Sequence, residues 1–265
     1  MKVAEVIITS LGELIDRVTP AAPDPITGRW RSGCVYHGAQ DASWPLLTSL
    51  DRLGGTTPPH TKAHLEAHIL RHFLRYARPY LSAGADGNDW ELLVAAQHHG
   101  VPTRLFDWSY SPLVAGHFAT RVRQSRHDAA IWQLDWQKVH AAFGLPDLAL
   151  LITDMERLFG AGGRFAPWHL FEGRLDKPFA CLLEPPGLDI RLIAQSAAFT
   201  LCSDTSSSLD AFLARHELAC ALKRLVIPAA ALPRLRDQLD LVGMDERHLF
   251  PDLDGVAAET RRYYA

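Results

Sequence analysis

Residues 97–119 read QHHGVPTRLFDWSYSPLVAGHFA, and our interpretation of the chain begins from this stretch. Within it lie three His, an Arg, an Asp, two Ser, a Trp and a Tyr. Gly100 and Pro102 predict the end of a helix that begins with a capping box at residues 88–91. Ser111 and Pro112 predict the N-cap and the first residue of the next helix. The pattern therefore predicts a helix, a turn and a second helix, with most of the reactive side chains in the turn.

The turn contains the components of an anion site. A helix start presents unpaired N–H groups, and Arg104 precedes the start at Ser111 by a few residues, so phosphate is the expected anion. A second interpretation is a buried structural ion pair between Arg104 and Asp107. Helix capping is enough to explain Ser109 and Ser111, and a place in the core is enough to explain Trp108. Both interpretations of the turn, ligand site and structural knot, stay open at this point.

The composition limits the class of protein. The chain has 265 residues, of which 48% are hydrophobic, so it can bury a substantial core. Its formal net charge is −3 and no block of like charge stands out, which argues against strong non-specific nucleic-acid binding. The four cysteines are scattered and the histidines lack metal-ligand spacing, so we predict reduced thiols and no metal site. No long apolar run or targeting segment is present, and we expect a soluble, cytoplasmic protein.

Short apolar runs with strand character predict the fold class. They occupy residues 3–8, 30–38, 130–136, 179–183, 189–195 and 222–227, and several are neighbours joined by turns. Helical patterns occupy residues 61–78, 147–159 and 229–241 and the C-terminus. We therefore predict an α+β fold with a mixed, largely antiparallel sheet and flanking helices. No long linker divides the chain, so we predict one domain over residues 1–265, in which residues 1–29 form an extension of strand, helix and loop.

Several segments together resemble the FRG-domain family, which is named after a Phe/Tyr-Arg-Gly strand. At that strand this chain has Tyr36-His37-Gly38-Ala39-Gln40, with His37 in the place of the usual Arg. The central stretch is very similar to the family pattern His-His-Gly-x-Pro-Thr-Arg-Leu-x-Asp-Trp-x-x-Ser-Pro. Residues 191–199 and 249–255 are also similar, so the resemblance runs from residue 30 to the C-terminus.

A more distant resemblance is to the ADP-ribosyltransferases. Tyr36-His37-Gly38 is similar to the His-Gly opening of the poly-ADP-ribose polymerase branch, and residues 109–119 are similar to a second motif with paired Ser/Thr before a helix. On the predicted late strand, Gln195 stands where these enzymes carry a catalytic Glu. The resemblance implies an ADP-ribosyltransferase-like fold with NAD as substrate. It implies a transferase or an NAD glycohydrolase of a toxin or phage-defence system, with a protein or nucleic-acid acceptor and no membrane partner.

The resemblance implies that residues of both motifs contact the nucleotide. The pyrophosphate suits Arg104 and the helix start at Ser111, and the flat nicotinamide suits stacking on an aromatic side chain. His37 would donate to a ribose hydroxyl, and Asp107 or Glu184 would stabilise the positive charge that develops on the ribose. The predicted catalytic residues are His37, Asp107 and Gln195, and the predicted nucleotide-binding residues are Tyr36, Gly38, Arg104, Trp108, Ser109, Ser111 and Arg191.

The alternative function is a non-catalytic recognition module that binds protein or nucleic acid, in which the central motif is a structural knot. The two functions differ in what the motifs must build. A nucleotide site requires Tyr36-His37-Gly38 and residues 104–111 to line one concave pocket, whereas a structural knot does not.

Overall fold

The structure is a computed structural model that describes residues 2–80, 89–122, 125–159, 167–171, 178–185, 187 and 189–264, apart from the side chains of residues 156 and 171. Two features of the sequence lie outside these residues. They are Asn88, the first residue of the predicted capping box, and the Gly-rich segment 160–164. In the part of the chain that the structure describes, no helix is both long enough and apolar enough to cross a membrane.

The described residues form a seven-stranded sheet. Its strands, in chain order, are β1 (Ala4–Ile7), β2 (Val35–Ala39), β3 (Leu105–Ser109), β4 (Ala129–Leu134), β5 (Ala180–Leu183), β6 (Ala197–Cys202) and β7 (Leu222–Ile227). Their order across the sheet is β1-β7-β4-β2-β3-β6-β5. The β1–β7 pair is parallel and the other pairs are antiparallel. The prediction of an α+β fold with a mixed, largely antiparallel sheet is therefore confirmed.

Helices cover both faces of this sheet. They are α1 (Leu11–Val18), α2 (Lys62–Ala77), α3 (Asp89–His98), α4 (Pro112–Ala119), α5 (Trp136–Ala142), α6 (Ile152–Phe159), α7 (Pro167–Phe171), α8 (Ile190–Ala194), α9 (Leu209–Arg215), α10 (Leu232–Leu241), α11 (Glu246–Leu249) and α12 (Leu253–Tyr263). On β4, Ile131 packs in a cluster with α1, α4 and α10, whereas the next residue, Trp132, packs with α5 and α9. Because strand residues alternate between faces, each side of the sheet has its own core.

The central stretch is a helix, a strand and a helix, so the prediction of a turn between two helices is wrong. α3 ends at His98, Gly100 follows with φ +77°, and α4 begins after Ser111, whose hydroxyl accepts a hydrogen bond from the Val114 N–H. Between them β3 pairs with β6 along its whole length. Its two neighbouring strands and the helices on both faces override the turn-forming residues around it.

Residues 189–195 were predicted as a strand, and this is also wrong. Asp189 is the N-cap of α8 and accepts a hydrogen bond from the Arg191 N–H, and Gln195 is the C-cap. The late strand, β6, begins only at Ala197. Gln195 therefore lies at a helix end, before the strand on which the resemblance to ADP-ribosyltransferases would place it.

Candidate functional site

The sheet opens between β2 and β3. β2 pairs with β4 from Val35 to Ala39, and β3 pairs with β6 from Leu105 to Ser109, but β2 and β3 share only the pairing of Tyr36 with Ser109. An unbroken antiparallel ladder would continue from this pairing toward Ala39 on β2 and Leu105 on β3. Because these residues of the two strands do not pair with each other, the strands diverge beyond Tyr36 and Ser109. The split separates the half sheet β1-β7-β4-β2 from the half sheet β3-β6-β5.

A cavity of about 820 Å³ lies at this split. This volume is within the range of small-molecule and cofactor sites, roughly 300–1,000 Å³. β2 and β3, which carry the two sequence motifs, line it together with residues of α3, α4 and α8. Its walls include Tyr36, His37, Gly38, Gln97, His98, Asp107, Trp108, Ser109, Val114, Ala115, Phe118, Arg191 and Gln195, together with Arg52, Arg121 and Phe250.

His37 bridges the split. Its Nδ1 lies 2.9 Å from the backbone oxygen of Asp107, and its ring centroid lies 4.5 Å from that of Phe106. Burial lowers the pKa of His37 to about 4, against the raising effect of this hydrogen bond. At neutral pH the ring is therefore neutral, and because a carbonyl only accepts, the proton is on Nδ1. Nε2 is then a hydrogen-bond acceptor, which reverses the donor role that the sequence predicted for this side chain.

Asp107 lies in the middle of β3 with its carboxylate open to the cavity. Gln97 Nε2 donates to both carboxylate oxygens, at 3.0 and 2.9 Å. Surrounding protein raises the pKa of this carboxyl above its ordinary value, and the hydrogen bond from Gln97 and the charge of Arg52 oppose that shift. A carboxyl group with a raised pKa in a concave site is suited to accepting or donating a proton.

Arg104 lies outside the cavity, so its predicted place in the anion site is wrong. Its guanidinium Nε donates to Glu66 Oε2 at 2.6 Å, and its backbone N–H donates to the other Glu66 oxygen at 2.7 Å. Both side chains are almost fully buried. A buried ion pair is therefore present, but it joins Arg104 to Glu66 of α2, so the predicted pairing of Arg104 with Asp107 is wrong. It ties α2 to the start of β3, beside the cavity.

Burial of Glu66 also corrects the prediction for α2. The spacing of Leu65, Ile69, Phe73 and Tyr76 predicts the inward face of this helix. In the structure Phe73 packs against the core, but Tyr76 is 58% exposed, and the buried residues are Glu66, Leu70 and Ala77. The buried face of α2 thus includes Glu66, whose carboxylate pairs with the buried guanidinium of Arg104.

Ser109 and Ser111 form hydrogen bonds within the protein. Ser109 donates its hydroxyl hydrogen to the Gln195 backbone oxygen at 2.7 Å and accepts from the Ser111 N–H at 3.0 Å. Ser111 caps α4 and does not line the cavity. α4 borders the cavity with Val114, Ala115 and Phe118, on its side and not at its N-terminus. The predicted anion site at the helix start is therefore absent from the cavity.

Other predicted residues divide between the cavity and its surroundings. Trp108 borders the cavity but is 3% exposed, with its Nε1 donating to Thr200 Oγ1 at 3.0 Å. Glu184 accepts a hydrogen bond from the Tyr110 hydroxyl at 2.6 Å, and neither residue lines the cavity. Of the two acidic residues considered for charge stabilisation, Asp107 is therefore the one in position.

Helix α8 and its C-cap contribute the side chains of Arg191 and Gln195 to the cavity wall. The Arg191 guanidinium lies 4.8 Å from the centroid of the Phe250 ring, and its buried Nε has no hydrogen-bond partner among the described residues. Gln195 Nε2 donates to the Leu249 backbone oxygen at 3.0 Å. Although the predicted strand is wrong, both residues face the cavity, because positions four apart also share a face of a helix.

Comparison with family models identifies the segment that carries the two sequence motifs. Residues 32–128 match the model of the FRG domain. The chain contains an FRG domain. This segment includes β2, α2, α3, β3 and α4, and therefore His37, Gln97 and Asp107. Comparison with curated proteins and with solved structures found no match.

The cavity extends beyond the matched FRG segment. Arg191, Gln195 and Phe250 lie in the chain after residue 128, and they also line the cavity. The sequence identified the first two of these but not Phe250, nor Arg52, Gln97 and Arg121 of the FRG domain. Gln97 begins the quoted stretch, so its position was visible, but the contact with Asp107 depends on how α3 packs on β3. Among the described residues, no group of three His, Cys, Asp or Glu side chains is arranged to hold a metal ion.

Gly38 of the FRG domain has a structural role as well as a place in the cavity wall. A Cβ on this residue would lie 2.0 Å from the Ala115 backbone oxygen and 2.7 Å from the Ala119 nitrogen. β2 and α4 therefore approach each other more closely than any residue with a side chain allows. The glycine sets the distance between the strand with His37 and the helix that borders the cavity.

Proposed function

We propose that the cavity binds an NAD-type dinucleotide and that the protein cleaves its nicotinamide–ribose bond, as an ADP-ribosyltransferase or an NAD glycohydrolase. The observation that carries this proposal is the split between β2 and β3, which brings Tyr36-His37-Gly38 and Asp107 to one cavity. The motif that resembles the opening strand of ADP-ribosyltransferases thus lies opposite a carboxylate. An ADP-ribosyltransferase-like fold is part of the same proposal.

The cavity offers positive charge for a pyrophosphate. Arg52, Arg121 and Arg191 line it, and Asp107 is the carboxylate among its lining residues. Arg191 takes the role that the sequence assigned to Arg104, because its guanidinium is stacked on Phe250 and keeps an unpaired Nε. A guanidinium held by stacking is well suited to planar hydrogen bonding with phosphate oxygens.

The polar side chains at the split are suited to the ribose and its bond to nicotinamide. His37 accepts a hydrogen bond from a ribose hydroxyl at Nε2, and the Asp107 carboxylate faces the positive charge that develops at C1′. In hydrolysis, the oxygen of a water molecule bonds to C1′ while its proton passes to Asp107. The bond from C1′ to the ring nitrogen breaks with its electron pair going to nicotinamide, which leaves as a neutral molecule. In transfer, a nucleophilic acceptor replaces the water.

Asp107→Asn is expected to abolish nicotinamide release without lowering stability. The asparagine oxygen still accepts a hydrogen bond from Gln97, so the contact between α3 and β3 is kept, but the amide accepts no proton. We expect a loss of at least ~100-fold in rate, the usual size of a general-base contribution. Chromatography of nicotinamide released from NAD gives the rate, and a thermal melt gives the stability. Release at the wild-type rate would exclude Asp107 as the base.

Arg191→Ala is expected to weaken NAD binding by roughly 10- to 100-fold, because it removes charge-assisted hydrogen bonds to phosphate. Titration calorimetry with NAD measures the effect. Arg234→Ala is the matched control, since Arg234 is an exposed arginine of α10 that does not line the cavity. Equal affinities of the two variants would place the pyrophosphate elsewhere.

A non-catalytic recognition module is the second candidate function. The observation in its favour is Arg104, which is a structural residue within the central motif and not a ligand residue. If wild-type protein neither binds NAD in calorimetry nor releases nicotinamide, the cavity serves recognition of another ligand and the enzymatic proposal fails.

A further inference from the structure

We infer that Gln97 and Thr103 form a relay of hydrogen bonds that fixes the Asp107 carboxylate in its orientation toward the cavity, so that both are positioning residues of the site. The inference rests on the proposed function for its catalytic consequence, and on geometry alone for the relay itself. Neither Gln97 nor Thr103 was assigned a role from the sequence.

The relay begins at the backbone of β3. The Leu105 N–H donates to Thr103 Oγ1 at 3.2 Å, and Thr103 Oγ1 in turn donates to Gln97 Oε1 at 2.6 Å. Gln97 Nε2 then donates to both oxygens of Asp107, at 3.0 and 2.9 Å. The series of hydrogen bonds thus starts at Leu105 of β3 and ends at Asp107, two residues later on the same strand.

Each bond in the relay determines the direction of the next. Because a backbone N–H only donates, Thr103 Oγ1 accepts from Leu105 and has its own hydrogen available for Gln97. The glutamine atom that receives this hydrogen is the oxygen, so the NH₂ group faces Asp107. The alternative orientation of the amide would set the glutamine oxygen against the carboxylate oxygens and leave the threonine hydroxyl against an NH₂ group. The network therefore allows one orientation of the Gln97 side chain.

Thr103 is itself held in place. It is fully buried, and its N–H donates to Ser49 Oγ at 3.1 Å while its backbone oxygen accepts from the Leu50 N–H at 3.2 Å. The loop that carries Ser49 and Leu50 also leads to Arg52, which lines the cavity. The origin of the relay is therefore rigid, which is the condition for a supporting residue to control the geometry of the group that touches a ligand.

A relay of this kind acts on chemistry through orientation. With Gln97 bound to both oxygens, the plane of the carboxylate is set, and its remaining lone pairs face the cavity. Misplacement of a reacting group by about 1 Å can reduce a rate by roughly 100-fold. Loss of the relay should therefore lower kcat and leave KM nearly unchanged, because the arginines that bind the phosphates are not part of it.

Three variants test the relay. Gln97→Met keeps the length of the side chain but removes its donor, Thr103→Val keeps the shape but removes the hydroxyl, and Thr103→Ser keeps the hydroxyl but removes a methyl group. The first measurement needs no nucleotide: the titration of Asp107 followed by NMR with carbon-13-labelled aspartate. Since the bond from Gln97 lowers the pKa of Asp107, its loss raises that pKa further, and we expect an upward shift of roughly one pH unit in Gln97→Met. Thr103→Val should shift it in the same direction, and Thr103→Ser should titrate like wild type.

The second measurement is the pH dependence of nicotinamide release. The base acts in its ionised form, so the rate rises with pH through the pKa of Asp107, and this rise should move upward with the titration. We expect kcat to fall about tenfold in Gln97→Met and Thr103→Val at neutral pH, with recovery in Thr103→Ser. An Asp107 titration that Gln97→Met leaves unchanged, or a Thr103→Ser variant as impaired as Thr103→Val, would overturn the relay. If wild-type protein releases no nicotinamide but the titrations shift as expected, the relay stands and the proposed reaction fails.

Discussion

Gly38→Ala is expected to destabilise the folded protein strongly. The added Cβ would lie 2.0 Å from the Ala115 oxygen and 2.7 Å from the Ala119 nitrogen, and both are backbone atoms of α4. A flexible side chain could rotate away, but these atoms move only if α4 leaves β2. That movement would also open the cluster in which Tyr36, Ala115 and Ala119 pack with α1 and α10. We expect a loss of at least ~4 kcal/mol, above the usual cost of overpacking a core, because backbone atoms occupy the position of the added Cβ.

Urea denaturation followed by circular dichroism measures this loss, and Gly12→Ala is the matched control. Gly12 lies in α1, has ordinary helical φ, and has no atom within 4 Å of the position of an added Cβ. Because alanine is the better helix former, the control should gain up to ~1 kcal/mol. Wild-type stability of Gly38→Ala would show that α4 is free to shift on the sheet, and that the glycine serves only the cavity.

The Tyr36-His37-Gly38 motif therefore combines two requirements. The imidazole at position 37 bridges the split in the sheet and presents an acceptor to the cavity, and the glycine at position 38 allows a helix to pass within backbone contact. The sequence pattern drew attention to His37 and Gly38, but it did not show that one bridges the split and the other allows the close approach of α4.

Local signals in the sequence predicted local structure well. Gly100 has the positive φ expected after a helix, and Ser111 and Pro112 begin α4 as predicted. In each case a few neighbouring residues determine the conformation through capping or steric restriction. The fold class was predictable for a related reason, because the spacing of strand patterns limits how strands connect.

Features that depend on contacts between distant residues were not predictable from one sequence. Glu66 is 38 residues from Arg104, and no local pattern on α2 indicates that the two residues pair. The segment at residues 189–195 begins with polar and apolar residues in alternation, as a strand does, yet it is the short helix α8 with Asp189 as its N-cap. The split between β2 and β3, on which the candidate site depends, is a property of the whole sheet.

Arg104→Met is expected to destabilise the protein by about 3–5 kcal/mol, because removal of one partner leaves the other as an uncompensated buried charge. The Glu66 carboxylate would remain fully buried, with the Arg104 backbone N–H as its remaining contact on β3. Burial already raises the pKa of Glu66, and the charge of Arg104 opposes this shift, so the variant should raise the pKa further.

The pH dependence of the loss identifies its cause. A carboxyl group with a folded-state pKa above its unfolded value, about 4.3 for Glu, is fully tolerated below that value and becomes destabilising as pH rises through the folded pKa. Arg104→Met should therefore lose less stability at pH 4.5 than at pH 8, measured by urea denaturation at both. A loss independent of pH would point to packing of the arginine side chain in place of its charge.

A double variant, Arg104→Met with Glu66→Gln, separates a structural pair from a ligand-binding arginine. The glutamine oxygen still accepts the backbone N–H at position 104, and no buried charge remains, so we expect most of the stability to return at pH 8. Because Arg104 lies outside the cavity, the refolded double variant should bind NAD as tightly as wild type. A double variant that is stable but has lost NAD affinity would return Arg104 to the binding site, whereas retained affinity would leave Arg191 as the arginine that holds the pyrophosphate. Arg104 would then affect the cavity only by holding α2 against β3.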